Sequence, residues 1–233
     1  MILQAVSPKS MHPRNAVVFA PFFSATGTAS RPRFVGEVLA ELMPVDVVTS
    51  DFDHSQKVKR EHRQCTPFDQ VIYLETRPYH SNVGAARLLS HLLFSLKSAR
   101  YFRKNRDKYD VVYATAPLNV LAWLVFRQAG IKTKIIDVVD VWPDVLPFSA
   151  STRKALAPIL SIWKWFFKSA VDKADVVMAV SDIFIQEASH YANDLASVKR
   201  FYIGHERLIS AAPKQPIFTI AYVGNLARII RET

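Results

Sequence analysis

"KIIDVVDVWPDVLPF", Lys134 to Phe148, is the stretch on which the fold turns. Its first half is a short, near-continuous apolar run, the pattern of a parallel strand buried on both faces. Its second half packs Asp140, Trp142, Pro143 and Asp144 into five residues. A strand that is apolar while buried and acidic just afterwards is one that emerges from a core at an edge where polar groups have work to do.

Outward from this stretch the chain alternates. Strand-like runs fall at Ala16–Ala20, Val45–Ser50, Val71–Glu75, Val111–Thr115, Lys134–Val139, Asp175–Ser181 and Val198–Ile203. Helical patterns lie at Arg33–Met43, about Val83–Asn105, Leu118–Gln128, about Pro158–Lys173 and Asp182–Tyr191, and Gly130 is a good stop for the third. Asp51–Asp69 is polar and reads as a long loop. In the second helix Leu89, Leu92, Leu93, Leu96 and Ala99 recur at three- and four-residue steps and predict its buried stripe. In the fourth, Ile159, Trp163, Phe167 and Ala170 do the same, leaving Ile162, Trp165 and Phe166 off the stripe beside Lys164 and Lys168. Those surplus aromatics fit an interfacial helix, a docking surface or further core packing.

Strands alternating with helices imply parallel pairing through crossover helices. The expected fold class is therefore α/β, a doubly wound Rossmann-like parallel sheet. Residues 1–14 read as an N-terminal tail and 15–204 as the Rossmann-like domain. Residues 205–216 carry two prolines without a period and read as a linker; 217–233, with "IFTIAYVGN", read as the first strand and turn of a second domain.

Composition narrows the partners. The formal charge is +10 over 233 residues, which favours nucleic acid, an anionic lipid surface or phosphorylated small molecules, or is simply a basic surface. No nucleic-acid recognition module is legible, so that class is set aside. Cys65 is the only cysteine, which excludes an internal disulfide and a cysteine zinc site. No apolar run reaches the ~20 residues of a membrane span. Lys9 and Arg14 ahead of "AVVFAPFF" have the outline of a signal peptide, but Pro21 interrupts the run. P-loop, GxSxG and HExxH patterns are absent from the sequence. "DFDH", Asp51–His54, is a metal-like cluster or a solvated surface; no metal site is expected.

In an open parallel sheet, ligands bind beyond the carboxyl ends of the strands. Three loops qualify. "PFFSATGTASRPR" follows the first strand, with Thr26 and Gly27 where backbone can approach a ligand closely or merely turn. It has one glycine where a dinucleotide fingerprint needs three, so NAD is disfavoured. "ATAPLN" follows the fourth, with Pro117 suited to a first helical turn. The third holds Asp140, Trp142 and Asp144. A carboxylate there accepts or orients a sugar hydroxyl, or the two aspartates cap the turn and the next helix while Trp142 packs as core.

These motifs resemble bacterial family 4 glycosyltransferases of the GT-B fold. "IIDVVDVWPDVLPF" is similar to that family's E-x-R-D-L-W-P-E segment: Asp137 stands at its first Glu, Asp140, Trp142 and Pro143 match, Asp144 replaces its second Glu, and Val139 replaces its Arg. "YATAPLNVLAWLV" resembles its S-P-P turn and helix, with Pro117 at the second proline, and "DVVMAVSDIF" its strand before the interdomain crossing. "TIAYVGNL" resembles the opening of its donor domain, with Ala227 at the second glycine of Y-x-G-N-L-G. The likeness runs over about residues 15 to 230.

The resemblance implies the acceptor half of a two-lobed, retaining, nucleotide-sugar-dependent enzyme for surface polysaccharide or lipopolysaccharide, with most of the donor half lying beyond this sequence. It implies Asp140 as the catalytic candidate, and Thr26, Gly27, Pro117, Trp142 and Asp144 around the acceptor. Gly224 and Asn225 would form an edge of the donor site. The donor is a nucleotide diphosphate sugar, with no further cofactor. The expected partners are a lipid-linked or glycan acceptor, an anionic membrane surface and a donor-domain chain, and the expected place is the cytoplasm or the inner face of its membrane. A non-catalytic glycan- or lipid-binding module of the same fold is the other reading.

Overall fold

A computed structural model describes residues 15–23, 30–81, 84–144, 146, 148–194 and 196–202. The linker and second-domain segments, and with them Thr26, Gly27, Gly224 and Asn225, lie outside the described residues. Seven strands form one parallel sheet: β1 (Asn15–Phe19), β2 (Val45–Ser50), β3 (Gln70–Leu74), β4 (Tyr109–Ala116), β5 (Thr133–Val138), β6 (Val176–Ala179) and β7 (Ser197–Arg200). Their order is β3-β2-β1-β4-β5-β6-β7, so the doubly wound α/β expectation holds. The order reverses between β1 and β4, and a crevice at their carboxyl ends is the place such a sheet offers a ligand.

The helices are α1 (Arg31–Ala40), α2 (Ala85–Asn105), α3 (Asn119–Phe126), α4 (Ala150–Asp172) and α5 (Asp182–Ser189). Right-handed crossovers to the left of β1 and to the right of β4 put them on opposite faces. Val17, Phe19, Val112, Ala114 and Ile136 point into the core under α2, α3 and α4. Val18, Val45, Val47 and Tyr113 point into a second core with Val35 of α1 and Phe68. Adjacent strand residues thus feed two different cores, the two-sided burial that the unbroken apolar runs encode. Gly36 lets Phe68 lie against α1: a Cβ there would meet the ring at 2.9 Å.

Local chemistry sets the ends. Ser149 and Ser181 cap α4 and α5, accepting from Thr152 N at 3.2 Å and Phe184 N at 3.4 Å. Gly130 takes a positive φ of 87°, but α3 already ends at Phe126 with Arg127 as its C-cap, so this glycine shapes the turn before β5 rather than stopping the helix. The long loop after β2 is tied down rather than loose. Gln64 exchanges hydrogen bonds with Val71 at 2.7 and 3.0 Å, doing for edge strand β3 what a further strand would do.

One expectation about helical faces fails, and another holds only at Phe167 and Ala170. On α2 the residues turned into the core are Ser90, His91, Phe94, Ser95, Ser98 and Phe102, while Leu89, Leu92 and Leu96 are 37%, 41% and 49% exposed. The helix packs close, so small serines face inward with two phenylalanines filling the gaps between them. The leucine period is real and faces outward; Leu93 and Ala99 are half-buried at its margin. On α4 the core face runs through Leu160, Phe167, Ala170 and Val171, with Ile159 62% exposed and Trp163 only partly covered. Ile162 and Trp165 are exposed, as their place off the stripe predicts.

Candidate functional site

β5 carries two aspartates to different fates. Asp137, within the strand, is fully buried and held by Arg31 through Nε and Nη2 at 2.6 and 2.8 Å and by the Tyr113 hydroxyl at 2.5 Å. Arg31 also donates to the carbonyls of Phe201 and Tyr202. This knot ties the start of α1 to β4, β5 and the exit from β7. Every lone pair it uses is internal, so Asp137 is structural.

Asp140 lies two residues past the end of β5 and is half-buried. Its Oδ2 accepts from the Trp142 indole Nε1 at 2.6 Å. Burial pushes its carboxyl above the ordinary aspartate range, against the pull of that indole, of the Val141 amide and of Arg87. Trp142 is 8% exposed and forms a wall rather than a free stacking plate. His91 stacks on it at 6.0 Å, Trp163 meets it edge-on at 5.7 Å, and the Arg87 guanidinium lies 4.8 Å over its ring. Asn119 Nδ2 donates to the Trp142 carbonyl at 3.1 Å, which joins the turn after β4 to the turn after β5.

Pro117 stands between β4 and α3, two residues ahead of the first helical position, rather than inside the first turn. Asp144 is taken by Lys164 of α4 at 2.6 Å. Neither aspartate caps α4, because Ser149 does. The structure therefore gathers Asp140, Trp142 and Pro117 at one rim and commits the Asp144 carboxylate to a surface ion pair.

A basic, aromatic cluster completes the rim and was not legible in the sequence. Tyr79 Oη bonds His54 Nδ1 at 2.7 Å, Lys57 Nζ lies 4.8 Å over the Tyr79 ring, and Arg87 hydrogen-bonds Tyr79. Phe22, from the loop after β1, meets His54 at 4.8 Å and His91 at 5.6 Å. Burial first, and then the positive charge of Arg87, hold His54 at about 4 and His91 at about 3, so both rings are neutral near neutral pH. Only the spacing of Arg87 and His91, one helical turn apart, hinted at a shared face. The "DFDH" stretch is a folded turn. Asp53 accepts from Ser55 N and Gln56 N at 2.7 and 2.8 Å, and Asp51 from Thr76 N at 2.8 Å. Among the described residues there is no group of three or more His, Cys, Asp or Glu placed to hold a metal ion.

Beside the rim, between α2 and α4 and over the start of α3, runs an apolar groove of about 270 Å³. Its walls include Leu88, Leu92, Pro117, Val120, Ile162 and Phe166. No helix among the described residues is long and apolar enough to cross a membrane.

No protein-family model and no curated protein matches the sequence. Solved structures do match in shape. Sucrose-phosphate synthase from Thermosynechococcus elongatus superposes with a TM-score of 0.56 at 14% identity, over 82% of this chain and 48% of that one. A shorter sucrose-phosphate synthase chain from the same organism gives 0.51 at 14% identity, over 84% of this chain and 91% of that one. The chain thus spans about half the length of the first structure. At this identity the likeness shows the fold alone, a Rossmann-like α/β arrangement of the GT-B type.

Proposed function

We propose that this chain is the acceptor-binding lobe of a nucleotide-sugar-dependent, retaining glycosyltransferase of the family 4 kind, acting with a second Rossmann-like lobe. The observation that carries the reading is Asp140, a half-buried carboxylate just past the carboxyl end of β5, oriented by the Trp142 indole. A desolvated carboxylate with a raised pKa at that edge suits a hydroxyl nucleophile: it accepts the hydroxyl hydrogen bond and increasingly the proton as the bond to the sugar forms. Trp142 fixes the carboxylate's direction, and Arg87 over the indole keeps it from drifting out of the wall. Thr26 and Gly27 would face the donor phosphates from the loop after β1, with Gly224 and Asn225 on the donor side. The donor is a nucleotide diphosphate sugar, the acceptor a lipid-linked or glycan hydroxyl of a surface polysaccharide or lipopolysaccharide, and the place of action the inner face of the cytoplasmic membrane. The net charge of +10 supports the last point by attraction to anionic lipid.

The test is Asp140→Asn. The amide still accepts from the indole but cannot take a proton. Transfer of labelled sugar to a membrane-extracted acceptor is measured with the chain and its donor lobe. It should fall by roughly a hundredfold or more while the circular dichroism spectrum is unchanged. Equal rates for the two proteins would end this reading.

A further inference from the structure

The exposed leucines of α2 and isoleucines of α4 call for an explanation, because a helix turned outward by its apolar side leaves that side to something. Leu88, Leu92 and Leu96 are 40%, 41% and 49% exposed on α2, and Ile159 and Ile162 are 62% and 58% exposed on α4. All of them but Leu96 line the same groove. At its inner wall stand His91 and Asn119, 9% and 1% exposed. Each keeps a buried polar atom, Nε2 and Oδ1, without a partner among the described residues. Unsatisfied buried atoms are rare and mark a place where a ligand or water belongs. His91 is also the residue that stacks on Trp142, whose indole holds Asp140. The apolar groove and the polar rim therefore meet at His91, which lines the one and packs on the wall of the other, and Arg87 is the α2 neighbour of the groove residue Leu88. The rim is cationic, through Arg87 and Lys57, and the outer face of α2 carries Lys97, Arg100 and Lys104, all exposed.

We propose that the groove between α2 and α4 holds the aliphatic chain of an anionic amphiphile, whose phosphate head lies against Arg87 and Lys57 beside Asp140. This deepens the acceptor reading and rests on it for the identity of the head as acceptor. A saccharide would find few polar atoms along the groove, whereas a hydrocarbon chain matches its walls. A second copy of the chain would cover the leucines but would bring the exposed Lys97, Arg100 and Lys104 of two α2 helices toward one another in a chain already at +10, a like-charge contact that an anionic amphiphile avoids. Charge complementarity selects the anionic amphiphile over a neutral one.

The experiment is a titration of the 233-residue chain with monomeric octyl, decyl and dodecyl phosphate, with the matching alkyl maltosides as neutral controls. Affinity should rise roughly fourfold per added methylene until the groove is full. Leu92→Glu and Ile162→Glu replace exposed residues, so they should fold normally and lose binding of both series about tenfold or more. Arg87→Gln should weaken the phosphates and leave the maltosides nearly unchanged. Three results overturn the proposal: affinity independent of chain length; full binding by Ile162→Glu; or no binding of single alkyl phosphates together with either a dimer that Leu92→Glu dissociates or adhesion only to vesicles of equal phosphatidylcholine and phosphatidylglycerol. The acceptor reading fails separately. If Asp140→Asn leaves transfer untouched while the chain-length series holds, the groove stands and the catalytic role does not.

Discussion

Asp137 and Asp140 are three residues apart at the end of one strand and do opposite things. Asp137 is closed in by Arg31 and Tyr113 with no exposed surface; Asp140 is half-buried, held by the Trp142 indole and the Val141 amide with no ion pair in contact among the described residues. The difference lies in where the strand stops being covered. Inside the sheet a carboxylate must be fully paired or it costs several kcal/mol. Past the last ladder bond, partial burial raises its pKa without demanding a counterion, which leaves it available to a ligand.

The contrast breaks most visibly at Asp137. Asp137→Asn strands the Arg31 guanidinium, which is 6% exposed, and should cost about 3–5 kcal/mol in urea unfolding. Asp140→Asn should cost under about 1 kcal/mol by the same measurement, because the indole keeps its acceptor. A comparable loss for both would mean that Asp140 is a second structural carboxylate and not a site. Loss of transfer without loss of stability in Asp140→Asn would sharpen the division.

A smaller effect tests the burial at the rim. His91 titrates at about 3 in the folded chain against an ordinary 6.5. The unfolded chain therefore takes up the proton first. The stability this ring contributes is complete above about pH 6.5 and drains away as pH falls toward the folded value, at up to ~1.4 kcal/mol per unit. Between pH 6.5 and about 5 that amounts to about 2 kcal/mol, with His54 acting in the same direction. Urea midpoints compared at about pH 7 and pH 5 should show the fall, and His91→Phe should flatten it; an unaltered slope in the variant would show that His91 is not the group responsible. The smallest effect belongs to the Asp144–Lys164 pair, 42% and 30% exposed at the side chain. Asp144→Ala should cost at most about 1 kcal/mol, less in high salt. If it instead abolished acceptor binding, Asp144 would belong with Asp140 rather than with the surface.

The strands were readable because each is a short apolar run bounded by turn residues, and two-faced burial leaves few other interpretations. Strand β2 lies at Val45–Ser50 as its pattern predicts; α4 begins at Ala150, eight residues ahead of the expected Pro158, because Ser149 caps a polar first turn that has no apolar period to betray it. At the rim, Asp140 and Trp142 stood out as acid and indole where a strand ends. Arg87, His91, Asn119, Tyr79 and Lys57 did not, since each is an ordinary residue in its own segment and gains meaning from neighbours on other segments.

The helices show the same limit more sharply. The three- and four-residue spacing on α2 guaranteed a stripe of leucines, but spacing carries no direction. Which side turns inward was settled by what the helix packs against, chiefly α3, and the side that meets it carries serines and phenylalanines rather than leucines. By itself, then, the sequence determined the alternation of elements, the parallel sheet and the abrupt exit at Asp140, all consequences of local pattern. Only the tertiary structure decided which apolar face is core and which is groove, and which carboxylate is spent on the fold, because both depend on distances between segments that no local pattern contains.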